Sequence, residues 1–213
     1  MDPQNTPVML ARAQDPDLLI WEKSDHNPVI QQLPPEVNET DFRDPYVWRE
    51  GDLWKMVIGA GLNNGDGAVL LYQSKDLLDW DYLGPLFAAR TLDSVQMWEC
   101  PNFFPLGDQY VLLVSLFPGI LGVYYYVGEY DGRSFMPNAE GFLTTSPFFY
   151  APQVRRLKDE RTILFGWLLE GREDDALEAA GWAGVQSLPR ELSLDETGHL
   201  VSRPIDEVKT LRK

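Results

Sequence analysis

Two carboxylates in similar sequence settings are the side chains of this protein that could carry out chemistry. Asp44 follows Arg43 and directly precedes Pro45, and Glu99 lies two residues before Pro101. In glycoside hydrolysis one carboxylic acid protonates the leaving oxygen, while a second group stabilises or attacks the anomeric carbon. The spacing alone leaves a structural alternative equally open, in which Arg43 and Asp44 form an ion pair and Glu99 is a capping residue.

The two acidic segments belong to a repeat that has a third copy at residues 150–153. Pro45, Pro101 and Pro152 lie about 50 to 56 residues apart, and a strand-like apolar run follows each proline within a few residues. Degenerate repeats of this length, each made of several short strands, are typical of a β-propeller. An ordinary β-sandwich with coincidental turn spacing is the alternative. Further copies stay in step with the prolines, at 51–59, 107–115 and 160–166.

A propeller would bring the acidic segments together. The innermost strands of its blades surround one axis, so residues at equivalent repeat positions meet at one end of that axis. The repeat therefore predicts that Arg43, Asp44 and Glu99 face one axial pocket.

Turn residues divide the repeat into blades. From the N-terminus, we predict the outer strands of one blade at 7–31, with a turn at Asp15–Asp17 and a strand at Leu18–Lys23. A loop is predicted at 31–42, and blades are predicted at 43–88, at 99–143 and from Tyr150 onward. Residues 187–204 predict inner strands of a further blade. The Asn-Gly and Asp-Gly pairs within Asn63–Gly67 predict a tight hairpin, and helix is predicted only within 172–180. Open blade edges expose unpaired backbone groups, which predicts an open arc or self-association through these edges rather than closure into a smaller ring of four blades.

Composition limits the partners and sites. We expect the 213-residue chain to form one domain over 1–213. Its formal net charge of −15 argues against nucleic acid or an anionic membrane as a partner. Cys100 is the only cysteine, and His26 and His199 have no Cys or His neighbour, so no metal and no cofactor are predicted. No apolar run approaches the ~20 residues that span a bilayer, and the N-terminus lacks the shape of a signal peptide. These features predict a cytoplasmic protein.

Five motifs resemble, in the same order, those of glycoside hydrolase family 32, the family of invertases, sucrose-6-phosphate hydrolases and fructanases. The resemblance extends from about Pro7 to Arg212. It implies a five-bladed β-propeller followed by a β-sandwich, and cleavage of β-fructosides with retention of configuration. The motifs are Phe42–Pro45, Trp98–Pro101, Phe149–Gln153, Gly166–Trp167 and Trp182–Leu192.

The resemblance also implies roles for individual residues. Glu99 would be the general acid/base, and Asp44 would be the transition-state stabiliser that grips fructose hydroxyls. Arg43 would bind substrate and keep the carboxylates ionised. Tyr150 and Trp167 would line the sugar site, offering a hydroxyl and an aromatic face.

The sequence departs from the family pattern in three places. The family nucleophile is an Asp in a Trp-Met-Asn-Asp-Pro-Asn-Gly motif on the first blade, and this chain has no such motif. Met1–Asn5 is faintly similar, but it lies too close to Asp44, so Asp2 is not assigned as a nucleophile. The first blade is therefore expected to be absent, which predicts an incomplete propeller of about four blades. The sequence also stops where the β-sandwich would follow. Finally, Phe148 stands where many members carry an Asp.

Three hypotheses about function follow. In the first, the chain is the catalytic propeller region of a β-fructosidase that takes a β-fructoside as substrate and is catalytically incomplete by itself. The second is a non-hydrolytic carbohydrate-binding or scaffold remnant of the same propeller. In the third, another chain supplies the nucleophile.

Overall fold

The computed structural model describes residues 7–119, 122–144, 146 and 148–212, which form an all-β structure with little helix. Its strands are β1 (Ala11–Ala13), β2 (Trp21–Lys23), β3 (Val37–Glu50), β4 (Leu53–Leu62), β5 (Gly67–Ser74), β6 (Asp81–Ala89), β7 (Met97–Leu106), β8 (Gln109–Phe117), β9 (Val123–Tyr130), β10 (Phe135–Phe142), β11 (Phe149–Arg156), β12 (Thr162–Leu168), β13 (Val185–Gln186), β14 (Arg190–Leu194) and β15 (Leu200–Pro204). The chain divides into two compact units, with the boundary inside β7 between Trp98 and Glu99.

The first unit contains one four-stranded antiparallel sheet and a small two-stranded one. Strands β3, β4, β5 and β6 pair in sequence order, and β1 pairs with β2. Both β4 and β5 are apolar runs that are buried at nearly every position, as expected for central strands covered on both faces. The hairpin between them is the predicted one, because Gly65 adopts φ 85° and the backbone N–H of Leu62 donates to the Asp66 carbonyl.

The predicted N-terminal strands and loop are partly wrong. The segment 37–42 is not loop, because β3 begins at Val37 and pairs there with Leu62. Residues 18–20 are not strand, because the Asp15 carboxylate accepts the backbone N–H groups of Leu19 and Ile20 and closes a turn. Such a carboxylate-closed turn competes with extended structure over the same residues.

The second unit contains two antiparallel sheets with a shared core. Strands β7 to β10 pair in sequence order, and the other sheet has the order β11-β12-β14-β15, with β13 also pairing with β12. A cluster of buried side chains from both sheets packs between them, including Phe104 and Leu113 from one and Leu164 and Leu192 from the other.

The prediction for residues 187–204 is wrong. These residues do not begin a further blade, because β14 pairs with β12 at Thr162 and Leu192, and β15 then pairs with β14. They are the outer strands of the sheet that begins at β11. The described residues therefore form three four-stranded blades, one of them with the extra strand β13, and one two-stranded sheet.

Helix is confined to two short segments of the described chain. The predicted helix is confirmed as α1 (Asp174–Ala180), which ends at Gly181 in a left-handed conformation. A 3-10 helix at Asp206–Leu211 was not predicted. Within the described ranges, neither is long and apolar enough to cross a bilayer.

Candidate active site

Three inner strands carry a strained residue at the same place in the repeat. Asp44, Cys100 and Ala151 directly precede the repeat prolines and adopt φ of 63°, 47° and 46°. A left-handed conformation costs a non-glycine residue about 1–2 kcal/mol. Strand pairing is displaced at two of these positions, between Arg43 and Tyr46 and between Tyr150 and Gln153. Such bulges redirect neighbouring side chains and are frequent beside active sites.

In the first unit this bulge holds Arg43 and Asp44, both of which are half-buried. The Arg43 guanidinium donates from Nη1 to the Thr40 carbonyl at 3.1 Å, which orients it within its own strand. Asp41, two residues before Arg43, is buried and accepts from the Thr40 hydroxyl at 3.3 Å. A guanidinium and two carboxylates thus lie close together in the chain. Side chains of these types bind sugar hydroxyls.

In the second unit Glu99 and Tyr150, which directly precede the strained residues Cys100 and Ala151, are in contact. The phenol oxygen of Tyr150 lies 2.5 Å from Glu99 Oε2 and 3.2 Å from the Leu116 carbonyl oxygen, and Tyr150 is 5% exposed. A phenol has one proton to donate. When Glu99 is ionised, Tyr150 donates to it. When Glu99 is protonated, it can donate to Tyr150, which then donates to the carbonyl of Leu116.

Two buried polar side chains hold this pair in place. Asn102, fully buried, donates from Nδ2 to the carbonyls of Cys100 (3.0 Å) and Pro152 (2.9 Å), and its Oδ1 accepts from the Val154 N–H at 2.9 Å. Ser115 accepts from the Ala151 N–H through its hydroxyl at 3.1 Å. The sequence reasoning missed both residues, although each is a polar residue within an apolar strand, which is the available signal.

Trp167, the cross-strand partner of Tyr150, lines a cleft. Its partner across the strands is Tyr150 on one side and Gln186 on the other. The indole is 47% exposed and packs so closely on Gly184 that a Cβ there would lie 2.4 Å from Trp167 Nε1. The cleft has a volume of about 280 Å³ and is lined by Ala151, Gln153, Phe165, Gly166, Trp167, Val185 and Gln186.

An ion pair closes the loop that carries Gly184. Glu170 accepts two hydrogen bonds from the Arg172 guanidinium, at 2.9 and 2.7 Å, and one from the Gly184 N–H at 3.2 Å. The Arg172 side chain and the backbone N–H donors hold the pKa of the Glu170 carboxyl well below its usual range. Arg172 also lies over the Trp182 ring, 4.0 Å from its centroid. The ion pair thereby fixes the wall against which Trp167 packs.

A comparison with protein families settles the ancestry of the chain. The model of the glycosyl hydrolases family 32 N-terminal domain matches residues 3–204. The chain belongs to glycoside hydrolase family 32. This confirms the resemblance, and the structural relatives confirm the fold class, an incomplete all-β propeller.

The family 32 relatives are similar over most of this chain. Sucrose-6-phosphate hydrolases are 39% identical in Vibrio alginolyticus, over 81% of this chain and 38% of the relative, and 38% identical in Escherichia coli, over 85% and 40%. The GH32 β-fructofuranosidase of Bombyx mori, as a point mutant in complex with sucrose, has a TM-score of 0.81 at 34% identity, covering 96% of this chain and 45% of that one. The chain spans about two fifths of the length of these relatives.

The structure brings together part of the predicted site. Glu99 and Tyr150 are in contact, and Trp167 lies across the strand from Tyr150. Arg43 and Asp44 are in the first unit, and the axial pocket that they would share with Glu99 stays a prediction.

Other residues that the sequence analysis singled out are not part of this site. Met1–Asn5, and with it Asp2, is outside the described residues. Phe148 is half exposed and lies beside Gly171. His26 and His199 are exposed, and in the described part of the chain no three His, Cys, Asp or Glu side chains are grouped as metal ligands.

Proposed function

We propose that this chain is part of a β-fructofuranosidase-type glycoside hydrolase that acts on sucrose or related β-fructosides with retention of configuration. The observation that carries the proposal is the hydrogen-bonded set of Glu99, Tyr150 and the Leu116 carbonyl in a chain of family 32. Its relatives include a sucrose-6-phosphate hydrolase and a β-fructofuranosidase, and these names support β-fructosides as the substrate class.

Glu99 is the general acid/base in this proposal. As an acid it gives its proton to the glycosidic oxygen while the bond from that oxygen to the fructosyl anomeric carbon breaks. As a base it later takes a proton from the water that attacks the fructosyl group. Tyr150 is a positioning residue for these steps, because it hydrogen-bonds Glu99 in both protonation states.

The other predicted residues bind the sugar. Asp44 accepts hydrogen bonds from fructose hydroxyls and stabilises the positive charge that develops on the ring in the transition state. Arg43 binds substrate through its guanidinium, which can donate hydrogen bonds to sugar hydroxyls. Trp167 offers an aromatic face to a sugar ring in the cleft that it lines.

A retaining mechanism also needs a nucleophile about 5–5.5 Å from the acid/base, and no residue of the printed sequence is assigned that role. A second candidate is a non-hydrolytic carbohydrate-binding protein that uses the same cleft, and the exposed Trp167 ring in that cleft is the observation that favours it. A cytoplasmic location and self-association both stay predictions.

Azide, an external nucleophile, tests the proposed role of Glu99 in this chain. We expect the purified chain, given sucrose and azide at molar concentration, to release glucose and form a fructosyl azide of inverted configuration. Azide forms the new bond to the anomeric carbon, the bond to the glucosyl oxygen breaks, and that oxygen takes the proton of Glu99.

Two variants complete the test. Glu99→Gln should abolish azide-dependent release, whereas Glu129→Gln, at an exposed strand position of the same unit, should leave it unchanged. Azide-dependent release that survives Glu99→Gln would exclude Glu99 as the acid. Saturable sucrose binding without azide-dependent release would favour the carbohydrate-binding candidate.

A further inference from the structure

A second groove, remote in sequence from Glu99, lies entirely in the first unit. We call it the aromatic groove: it has a volume of about 510 Å³ and is lined by Tyr72, Trp80, Tyr82 and residues 29–34. Tyr72 on β5 and Tyr82 on β6 are partners across the sheet, with ring centroids 5.0 Å apart. None of the residues proposed above for catalysis or sugar binding lines it.

The turn before β6 fixes the orientation of Trp80. The Asp76 carboxylate accepts the backbone N–H groups of Leu78 (2.9 Å) and Asp79 (3.1 Å), and the Trp80 indole N–H donates to the Leu77 carbonyl at 3.1 Å. The indole nitrogen is therefore already used within the protein. What Trp80 offers to the groove is its apolar ring surface.

Several polar groups lie beside the rings of the groove. Tyr82 donates to Glu36 Oε1 at 2.5 Å. The Tyr72 hydroxyl is buried and has no hydrogen-bond partner among the described residues. Burial, with the Glu36 carboxylate as a second cause, raises the pKa of Tyr72, so its hydroxyl stays a donor. Gln32 is an exposed amide at the edge of the groove.

These groups match the chemistry of a neutral sugar. Sugar C–H faces pack on aromatic rings, and sugar hydroxyls pair with amides and carboxylates. Among the described residues no lysine or arginine lines the groove, and Glu36 adjoins it, so a phosphorylated ligand is disfavoured. An ammonium cage needs ring faces turned to a common centre, whereas Tyr72 and Tyr82 pack against each other at 42°.

We propose that the aromatic groove is a binding site for a neutral saccharide, separate from the candidate active site. The rings of Trp80 and Tyr82 form its apolar wall. Gln32 and Glu36 hydrogen-bond the sugar hydroxyls, and the Tyr72 hydroxyl is a further donor at the floor.

Titration of the labelled chain with sucrose and with a neutral fructo-oligosaccharide, followed by ¹H–¹⁵N spectra, tests this site. We expect a saturable shift of the Trp80 indole signal. Gln32→Ala, at an exposed position, should weaken binding roughly fivefold, the value of one hydrogen bond. Trp80→Ala, followed through the backbone amide signals of residues 29–33, should abolish the saturable response to sugar. Its matched control is Trp21→Ala, since Trp21 ends a similar turn with the same indole bond to a backbone carbonyl, outside the groove.

Two further titrations identify the ligand class. Tetramethylammonium and glucose 6-phosphate should leave the Trp80 signal in place. A response to either of these without a response to neutral sugar would overturn the proposal, as would an unshifted Trp80 signal in saturating sugar. Glu99→Gln should not change the titration, so the outcome is independent of the proposed hydrolase activity.

Discussion

Asn102 is the residue whose removal should do most damage to the candidate active site without touching a catalytic group. Its side chain makes three hydrogen bonds, to the carbonyls of Cys100 and Pro152 and from the N–H of Val154, at a fully buried position. Asn102→Ala would leave these three backbone groups without that partner. A buried polar group that loses its partner costs about 1–3 kcal/mol. Three groups at the lower value give a loss of about 3 kcal/mol.

Urea denaturation followed by tryptophan fluorescence measures this loss. With a slope of about 2 kcal/mol per molar urea for a small protein, the unfolding midpoint should fall by about 1.5 M. Asn138→Ala is the matched control, because Asn138 is exposed and its amide donates to the Gln109 side chain at the surface. It should change the free energy of unfolding by less than about 0.5 kcal/mol.

Two results would refute the reasoning. One is equal destabilisation by the Asn102 and Asn138 variants, which would mean that the buried bonds are replaced by water at no cost. The other is an Asn102→Ala protein of normal stability. If the variant does not fold, Asn102→Ser, which keeps one polar atom, should show an intermediate loss.

Three other predictions concern the same region. Ala151→Gly should raise the free energy of unfolding by about 0.5–1 kcal/mol, because glycine adopts φ 46° without the alanine penalty. Ala139→Gly, at a strand residue whose φ is not positive, should lower the free energy of unfolding, and loss of stability in both variants would contradict this. Because the pKa of Glu170 is lowered in the folded state, its stabilisation is present above its unfolded pKa and lost as pH falls. Melting temperatures of Glu170→Gln should therefore depend less on pH in the acid range than wild type, and unchanged acid dependence would exclude this source. Without azide, the chain should hydrolyse sucrose poorly, since general acid catalysis alone accelerates a reaction only ~10²–10⁴-fold. Glucose release at ordinary enzyme rates, lost in Glu99→Gln, would disprove this prediction.

Local signals in the sequence predicted local structure well. The Asn63–Gly67 hairpin needed a residue with positive φ, and Gly65 provides it. The helix at Asp174–Ala180 and the apolar central strands also follow from nearby residues alone. By contrast, residues 18–20 were predicted to be part of the strand that follows the Asp15 turn, because these apolar residues resemble a strand unless the Asp15 carboxylate contact is known.

Pairing between distant strands could not be read in the same way. The pattern of β14 is compatible with any sheet, and the loop that carries α1 separates it from its partner β12. Counting repeats by their prolines therefore assigned residues 187–204 to a new blade. The buried roles of Asn102 and Ser115 depend on partners in another strand, so they too needed the structure.

The candidate active site combines backbone strain with buried hydrogen bonds that oppose it. Cys100 and Ala151 would each relax toward extended conformations if they were free, and relaxation would turn the preceding residues, Glu99 and Tyr150, away from each other. Asn102 binds the carbonyl of the first strained residue and the carbonyl that follows the second, so one side chain restrains both strained segments. Its three bonds are comparable in free energy to the two penalties of about 1–2 kcal/mol. We therefore infer that the contact between Glu99 and Tyr150 depends on two strained segments held together by the buried amide of Asn102.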